Sequence, residues 1–179
     1  MKKLALAGLM AATLTGCSSQ EEPQVLNLYN WSEYMPQEVL DRFEEETGIQ
    51  VVYTTYDSNE AMYARLKLLD DSGQYDLALP STYYVNKMRK EGLLEKINHE
   101  KLEGFEKLDP ELTNLDIDPE NQYSVPYLWG TTGLAYDAND VEGEEVTAWS
   151  DLWDEKYEGR VMLTNDMREV FHIGLRVLG

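Results

Sequence analysis

VLNLYNWSEYMPQEVLDRFEEETGIQVVYTTY, residues 25–56, decides the fold. Two runs rich in Val, Leu, Tyr and Thr, 25–31 and 49–56, read as strands. Between them, Val39, Leu40 and Phe43 recur at helical spacing, which predicts a helix over 36–46 with one apolar stripe toward a sheet. Pro36 suits the first helical position and Gly48 stands just past the end. Downstream the alternation continues. A helix over 59–69 starts at Ser58, a strand follows at 76–79, and a helix over 83–91 stops at Gly92. Alternating strands and helices of this kind form an open α/β sheet.

Beyond that unit the pattern is looser. Residues 98–122 contain Asp109-Pro110 and Asp118-Pro119 and read as a long connection with one short helix. Strands are expected at 124–129, 133–136 and 160–163, an acidic loop at 137–145, a helical turn at 149–153 and a helix over 167–178. Gly179 follows that helix with no further strand to complete the second α/β unit, so a truncated frame or a fragment is expected.

Upstream, Lys2 and Lys3 precede an apolar run from Leu4 to Leu14 and then Thr15-Gly16, the pattern of a bacterial export signal. The run is too short to span a bilayer. Leu14-Thr15-Gly16-Cys17 has the form of a lipobox, which makes Cys17 an acylated N-terminus and residues 17–24 a polar tether. Cys17 is the only cysteine, so no disulfide forms within the chain.

Removing two lysines with the leader leaves 13 basic against 34 acidic residues, a net charge of −21. Such a surface attracts cations and argues against nucleic acid or anionic lipid as partners. Solubility alone also accounts for many of these carboxylates.

In an open α/β sheet the ligand crevice lies beyond the carboxyl ends of the strands. The turns there read Trp31-Ser32-Glu33-Tyr34, Ser81-Thr82-Tyr83-Tyr84, and Thr164-Asn165-Asp166 leading to Glu169. None contributes Lys or Arg before its helix starts. Helix N-termini favour anions, whereas Glu33, Asp166 and Glu169 reverse that preference. Neighbouring aromatic faces add cation–π attraction and an apolar wall for methylenes, which suits a flexible diamine. Bland readings stand beside this one. Asp166 and Glu169 also have capping-box spacing, Trp31 and Tyr34 also suit a core or rim, and Tyr83 and Tyr84 must split across helix faces.

Catalytic and metal signals are weak. His99 and His172 have no partners at metal-ligand spacing, and a nucleophile elbow, a Walker loop and a dinucleotide fingerprint are absent. No cofactor or metal is expected. Two carboxylates in a cleft leave a glycosidase-type hydrolase as one rival, and a structural surface lipoprotein as another.

Several segments resemble the bacterial spermidine/putrescine-binding proteins of polyamine ABC importers. They are Tyr29-Asn30-Trp31-Ser32-Glu33-Tyr34, Tyr56-Asp57-Ser58-Asn59-Glu60-Ala61-Met62-Tyr63, Pro80-Ser81-Thr82-Tyr83-Tyr84-Val85, Ser124-Val125-Pro126-Tyr127-Leu128-Trp129-Gly130 and Thr164-Asn165-Asp166-Met167-Arg168-Glu169-Val170-Phe171. The resemblance covers residues 25–179. It implies a type II periplasmic-binding-protein-like fold with two lobes and a hinge, a first lobe at 25–129 and the start of a second, incomplete lobe at 130–179. It further implies that Trp31, Ser32, Glu33, Tyr34, Ser81, Tyr83, Asp166 and Glu169 line a polyamine site. Glu33 would hold a terminal ammonium and the Asp166/Glu169 pair the opposite end of the ligand. A non-enzymatic, monomeric periplasmic receptor is implied, anchored by lipid on Cys17 and delivering spermidine or putrescine to an inner-membrane permease and its ATPase. A binding protein for another small cationic solute is the alternative within the same superfamily. Ser32 stands where relatives often carry Thr, and the family's second half has no counterpart here.

Overall fold

The computed structural model describes residues 23–69, 73–141 and 146–179. The leader, Cys17 and the tether through Glu22 lie outside the described residues, as does part of the acidic loop. Strand β1 (Val25–Trp31) is central in a three-stranded sheet of order β2-β1-β3, with β2 (Gln50–Tyr56) and β3 (Leu77–Ala78) both parallel to it. Parallel neighbours need crossover connections. Helix α1 (Gln37–Thr47) supplies the first and α2 (Asn59–Leu69) the second, and α3 (Thr82–Lys90) follows β3.

Alternation along β1 divides its side chains between the two faces of the sheet. Tyr29 joins Tyr56, Met62, Tyr84 and Met88 in the buried core, with Trp31, Tyr63, Leu66, Tyr75 and Leu93 packed against it. Leu28 and Asn30 point to the opposite face, and both are buried. The core is largely aromatic. Tyr29 stacks on Tyr75 at 4.4 Å between centroids and meets Tyr56 edge-on at 4.9 Å, a geometry the ring quadrupoles favour.

The strand–helix order expected through residue 90 is the order found, with corrections at the edges. Pro36 is the N-cap, in extended backbone, and not the first helical residue. Its fixed φ suits both positions, and its ψ of 141° decides for the cap. Gly48 closes α1 at φ 73°, its N–H reaching the Glu44 carbonyl at 2.8 Å. Of the expected apolar stripe only Leu40 is buried, whereas Val39 and Phe43 are exposed. Helix α1 packs on β2, the edge strand, so part of its circumference overhangs the sheet. Strand β3 is two residues long, although Asp76 N–H to Asn27 O and Leu79 N–H to Tyr29 O carry the ladder to the expected 76–79.

Larger differences lie downstream. Residues 98–122 hold four 3₁₀ turns, His99–Lys101, Phe105–Lys107, Pro110–Leu112 and Pro119–Asn121, in place of one short helix. Each turn satisfies itself through local i to i−3 bonds and caps such as Asp109, whose Oδ1 accepts the Glu111 N–H. The strands expected at 124–129, 133–136 and 160–163 do not form. A strand has no internal hydrogen bonds, and among the described residues these segments have no ladder partner. The turn at Trp149–Trp153 and helix α4 (Met167–Leu178) stand where expected.

Met62, fully buried in the aromatic core, provides a test of this packing. Met62→Ala should lower the unfolding free energy by about 2–5 kcal/mol in urea titrations. Met162→Ala, at a residue 93% exposed, should change it by less than about 0.5 kcal/mol.

Candidate functional site

Register places the carboxyl ends of the strands side by side, because Trp31 pairs with Tyr56 and Tyr29 with Ala78. The chain leaves all three strands at one end of the sheet, and the residues of the strand–helix turns gather there.

The first turn builds an aromatic group. Trp31 Nε1 donates to the Leu79 carbonyl at 2.9 Å, and the Tyr56 hydroxyl donates to the same oxygen. The indole packs on Tyr56 at 4.8 Å and faces Tyr34 at 6.1 Å between centroids. Ser32 closes the turn, its N–H on the Tyr56 carbonyl and its hydroxyl donating to Asp57 Oδ1 at 2.7 Å. Glu33 adopts φ 62°, in the left-handed region, and is exposed. That conformation costs free energy for a residue with a Cβ and is concentrated at functional turns. Among the described residues its carboxylate makes no hydrogen bond or ion pair. Tyr34 is 46% exposed, and the Tyr127 hydroxyl donates to its carbonyl at 3.0 Å.

The second and third turns meet in one polar cluster. Asp166 caps α4, its Oδ1 accepting the Glu169 N–H at 3.1 Å. Its other oxygen faces away from the helix, accepting the Tyr83 hydroxyl at 2.6 Å and the Asn59 amide at 3.0 Å. Asp166 therefore caps the helix and joins the cluster at once. The reciprocal half of a capping box is missing, since Glu169 Oε2 accepts the Thr132 hydroxyl at 3.2 Å. Ser81 enters through Asn59, whose amide reaches its Oγ at 3.0 Å. Tyr84 points into the core while Tyr83 points to the cluster.

Burial alone would push the Asp166 carboxyl up. The hydrogen bonds from Tyr83, the Glu169 N–H, Asn59 and the Arg168 N–H outweigh that and hold it below the usual carboxylate range. Tyr83 moves the other way. Burial, then the hydrogen bond to Asp166 and its charge, push the phenol well above its ordinary value.

Ser81, Tyr83 and Asp166 thus form one contacting group, and Trp31 and Tyr34 another beside it. Three participants escaped the sequence reading. Tyr56 underlies Trp31, and fully buried Asn59 links three of the site residues. Arg168 places its guanidinium over the Tyr83 ring at 4.7 Å, which adds a cation where the turns themselves offered none. The spacing of Asn59 right after Ser58 read only as a helix start, so its signal was hidden by its second role. The concavity lined by Asp41, Glu44, Glu45, Gly48, Ile49 and Gln50 lies at the amino end of β2, the opposite end of the sheet. Among the described residues no three His, Cys, Asp or Glu gather to hold a metal ion, and no helix is long and apolar enough to cross a membrane.

A family model described as bacterial extracellular solute-binding protein matches residues 38–179. The spermidine/putrescine-binding periplasmic protein of Escherichia coli is 48% identical over 178 residues, 99% of this chain and 51% of that protein. Among solved structures, the TpPotD lipoprotein of Treponema pallidum superposes with a TM-score of 0.79 at 36% identity, over 87% of this chain and 48% of that one. The spermidine/putrescine ABC transporter substrate-binding protein PotD of Streptococcus pneumoniae gives a TM-score of 0.63 at 47% identity, over 75% and 41%. The chain spans about half the length of the curated relatives it matches.

The lowered Asp166 titration fixes a pH dependence. A carboxyl depressed on folding contributes stability that is fully present above its unfolded value and lost as pH falls through its folded value. Tyr83→Phe removes a hydrogen bond to that charge and should cost about 1.5–3 kcal/mol at neutral pH. In denaturant titrations at stepped pH, the gap between wild type and Tyr83→Phe should close as pH falls through the lowered Asp166 value. A gap that persists unchanged in acid would assign the loss to packing.

Proposed function

The chain belongs to the bacterial extracellular solute-binding proteins, and from that premise we propose that it captures polyamines, spermidine or putrescine, for an ABC importer. The observation that carries this reading is the contact of Tyr83, Ser81 and Asp166 beside Trp31 and Tyr34 at the carboxyl ends of the strands. A carboxylate held ionised by its neighbours attracts an ammonium group, and aromatic faces shelter methylenes between charges. Glu33, exposed on a left-handed turn, holds a terminal ammonium. Asp166 and Glu169, one helical turn apart at the start of α4, serve the other end. The net charge of −21 without the leader favours cation encounter at long range.

In this reading residues 25–129 form one lobe and 130–179 open the second, with ligand held between them. The protein is an exported, monomeric receptor without catalytic activity, tethered outside the cytoplasm through lipid on Cys17. A solved relative that is itself named a lipoprotein supports the tether. The permease and ATPase of the importer are its partners.

A thermal-shift titration of the full chain with putrescine, spermidine and magnesium tests the proposal, because a ligand that binds the native state raises its stability. Both polyamines should raise the melting temperature and magnesium should not. Equal shifts with all three would reduce the effect to bulk acidity. Glu33→Gln should weaken polyamine binding by about 1.5–3 kcal/mol in calorimetry; an unchanged affinity would remove Glu33 from the site.

A further inference from the structure

Asn59 is the most enclosed polar side chain at the site, at 0% exposure, and its amide orientation is fixed by chemistry. The Ser81 backbone N–H, which can only donate, lies 3.0 Å from Oδ1. The carbonyl oxygen must therefore face Ser81 N, and the NH2 group must face the cluster. From there it lies 3.0 Å from Ser81 Oγ, 2.9 Å from the Tyr83 hydroxyl and 3.0 Å from Asp166 Oδ2.

Counting hydrogens orients the whole cluster. The ionised carboxylate of Asp166 only accepts, so the Tyr83 hydroxyl, 2.6 Å away, spends its hydrogen there. The two amide hydrogens of Asn59 are shared among three acceptors, Ser81 Oγ, the Tyr83 oxygen and Asp166 Oδ2. The hydrogens of Asn59 and Tyr83 point to other members of the cluster, so Tyr83 and Asp166 offer only lone pairs to anything outside it.

We propose that Asn59 is a positioning residue that supports this direction, so that Tyr83 and Asp166 present an acceptor-only face which admits an ammonium group and rejects an end that must itself accept a hydrogen bond. Asn59 acts through Asp166 and Tyr83 and need not touch the ligand. Without its two hydrogens Asp166 loses one of its donors, and the Ser81 and Tyr83 oxygens lose the donor they share. The other charged or titratable groups around the cluster are Glu60 of α2, whose charge acts on Tyr83, Tyr84 of α3, whose ring packs on Tyr83 and turns to the core, and Arg168 and Glu169 of α4. None of them can replace the amide, because Glu60 and Glu169 only accept and the Arg168 side chain lies on the ring face and not at the hydroxyl.

The ligand class rests on the polyamine reading, whereas the cluster can be tested without ligand. Asn59→Leu removes both hydrogens at similar size, and Asn59→Ser, a smaller change, returns one donor. In the full chain without ligand, the Asp166 carboxyl titration followed by carbon NMR should move up by about one unit in Asn59→Leu and by less in Asn59→Ser. A merely structural role would lower the melting temperature and leave that titration in place. An unmoved titration in whichever variant still melts cooperatively overturns the inference. In the binding arm, the preference for putrescine over 4-methoxybutylamine, whose ether end only accepts, should fall about tenfold in Asn59→Leu; an unchanged preference likewise overturns it. Absence of putrescine binding by the wild-type chain would instead strike the polyamine reading, with the ligand-free titration still deciding the role of Asn59.

Discussion

Parallel pairing of β1 with β2, residue for residue from Val25–Gln50 to Trp31–Tyr56, is the constraint on which everything else rests. Parallel strands end together, so the turns after them open on one side of the sheet. A slip of one residue would turn Tyr29 and Trp31 to the opposite face and take apart both the aromatic core and the first wall of the site. Gly48 and Pro36 set the length of the crossover that keeps this register, and the aromatic contacts of Tyr29 with Tyr56 and Tyr75 reinforce it.

On that platform the site is organised by a buried amide. A polar group that loses water and finds no partner costs free energy. Both ends of the Asn59 side chain are satisfied, by Ser81 N–H on one side and by Ser81 Oγ, Tyr83 and Asp166 on the other. One residue thus joins the start of α2, the turn before α3 and the cap of α4, across 107 positions of sequence between Asn59 and Asp166. The aromatic group of Trp31, Tyr34 and Tyr56 adjoins this cluster through the Leu79 carbonyl, which lies two residues before Ser81. Charge and apolar surface therefore sit next to each other, as a chain of methylenes ending in ammonium groups requires.

Much of this was legible in the residues. The elements through α3 follow from local signals, namely alternating Val, Tyr and Thr in the strands, Gly at the helix ends and apolar residues at helical spacing. The turns that carry Trp31, Ser81 and Tyr83 follow from the same order, since strand ends in an α/β sheet are the ligand side, whereas the strand expected before Asp166 does not form. Legibility failed where stability is not local. Residues 124–129, 133–136 and 160–163 have strand composition, yet a strand forms only against a neighbour, and composition does not say whether one is present. Val39 and Phe43 have helical spacing, yet how much of α1 is covered depends on where the sheet edge lies.

The sequence by itself determined the strand–helix order through α3, the acidic surface and the residue types offered at the strand ends, because each is a property of neighbouring positions. Only the tertiary structure decided that Asp166 is both helix cap and cluster member, that Arg168 lies over Tyr83, and that Asn59 directs the hydrogen bonds between them. Those roles depend on which oxygen faces which donor between segments far apart in the chain, and direction in a hydrogen-bond network exists only once its partners have been brought within 3 Å or so of one another.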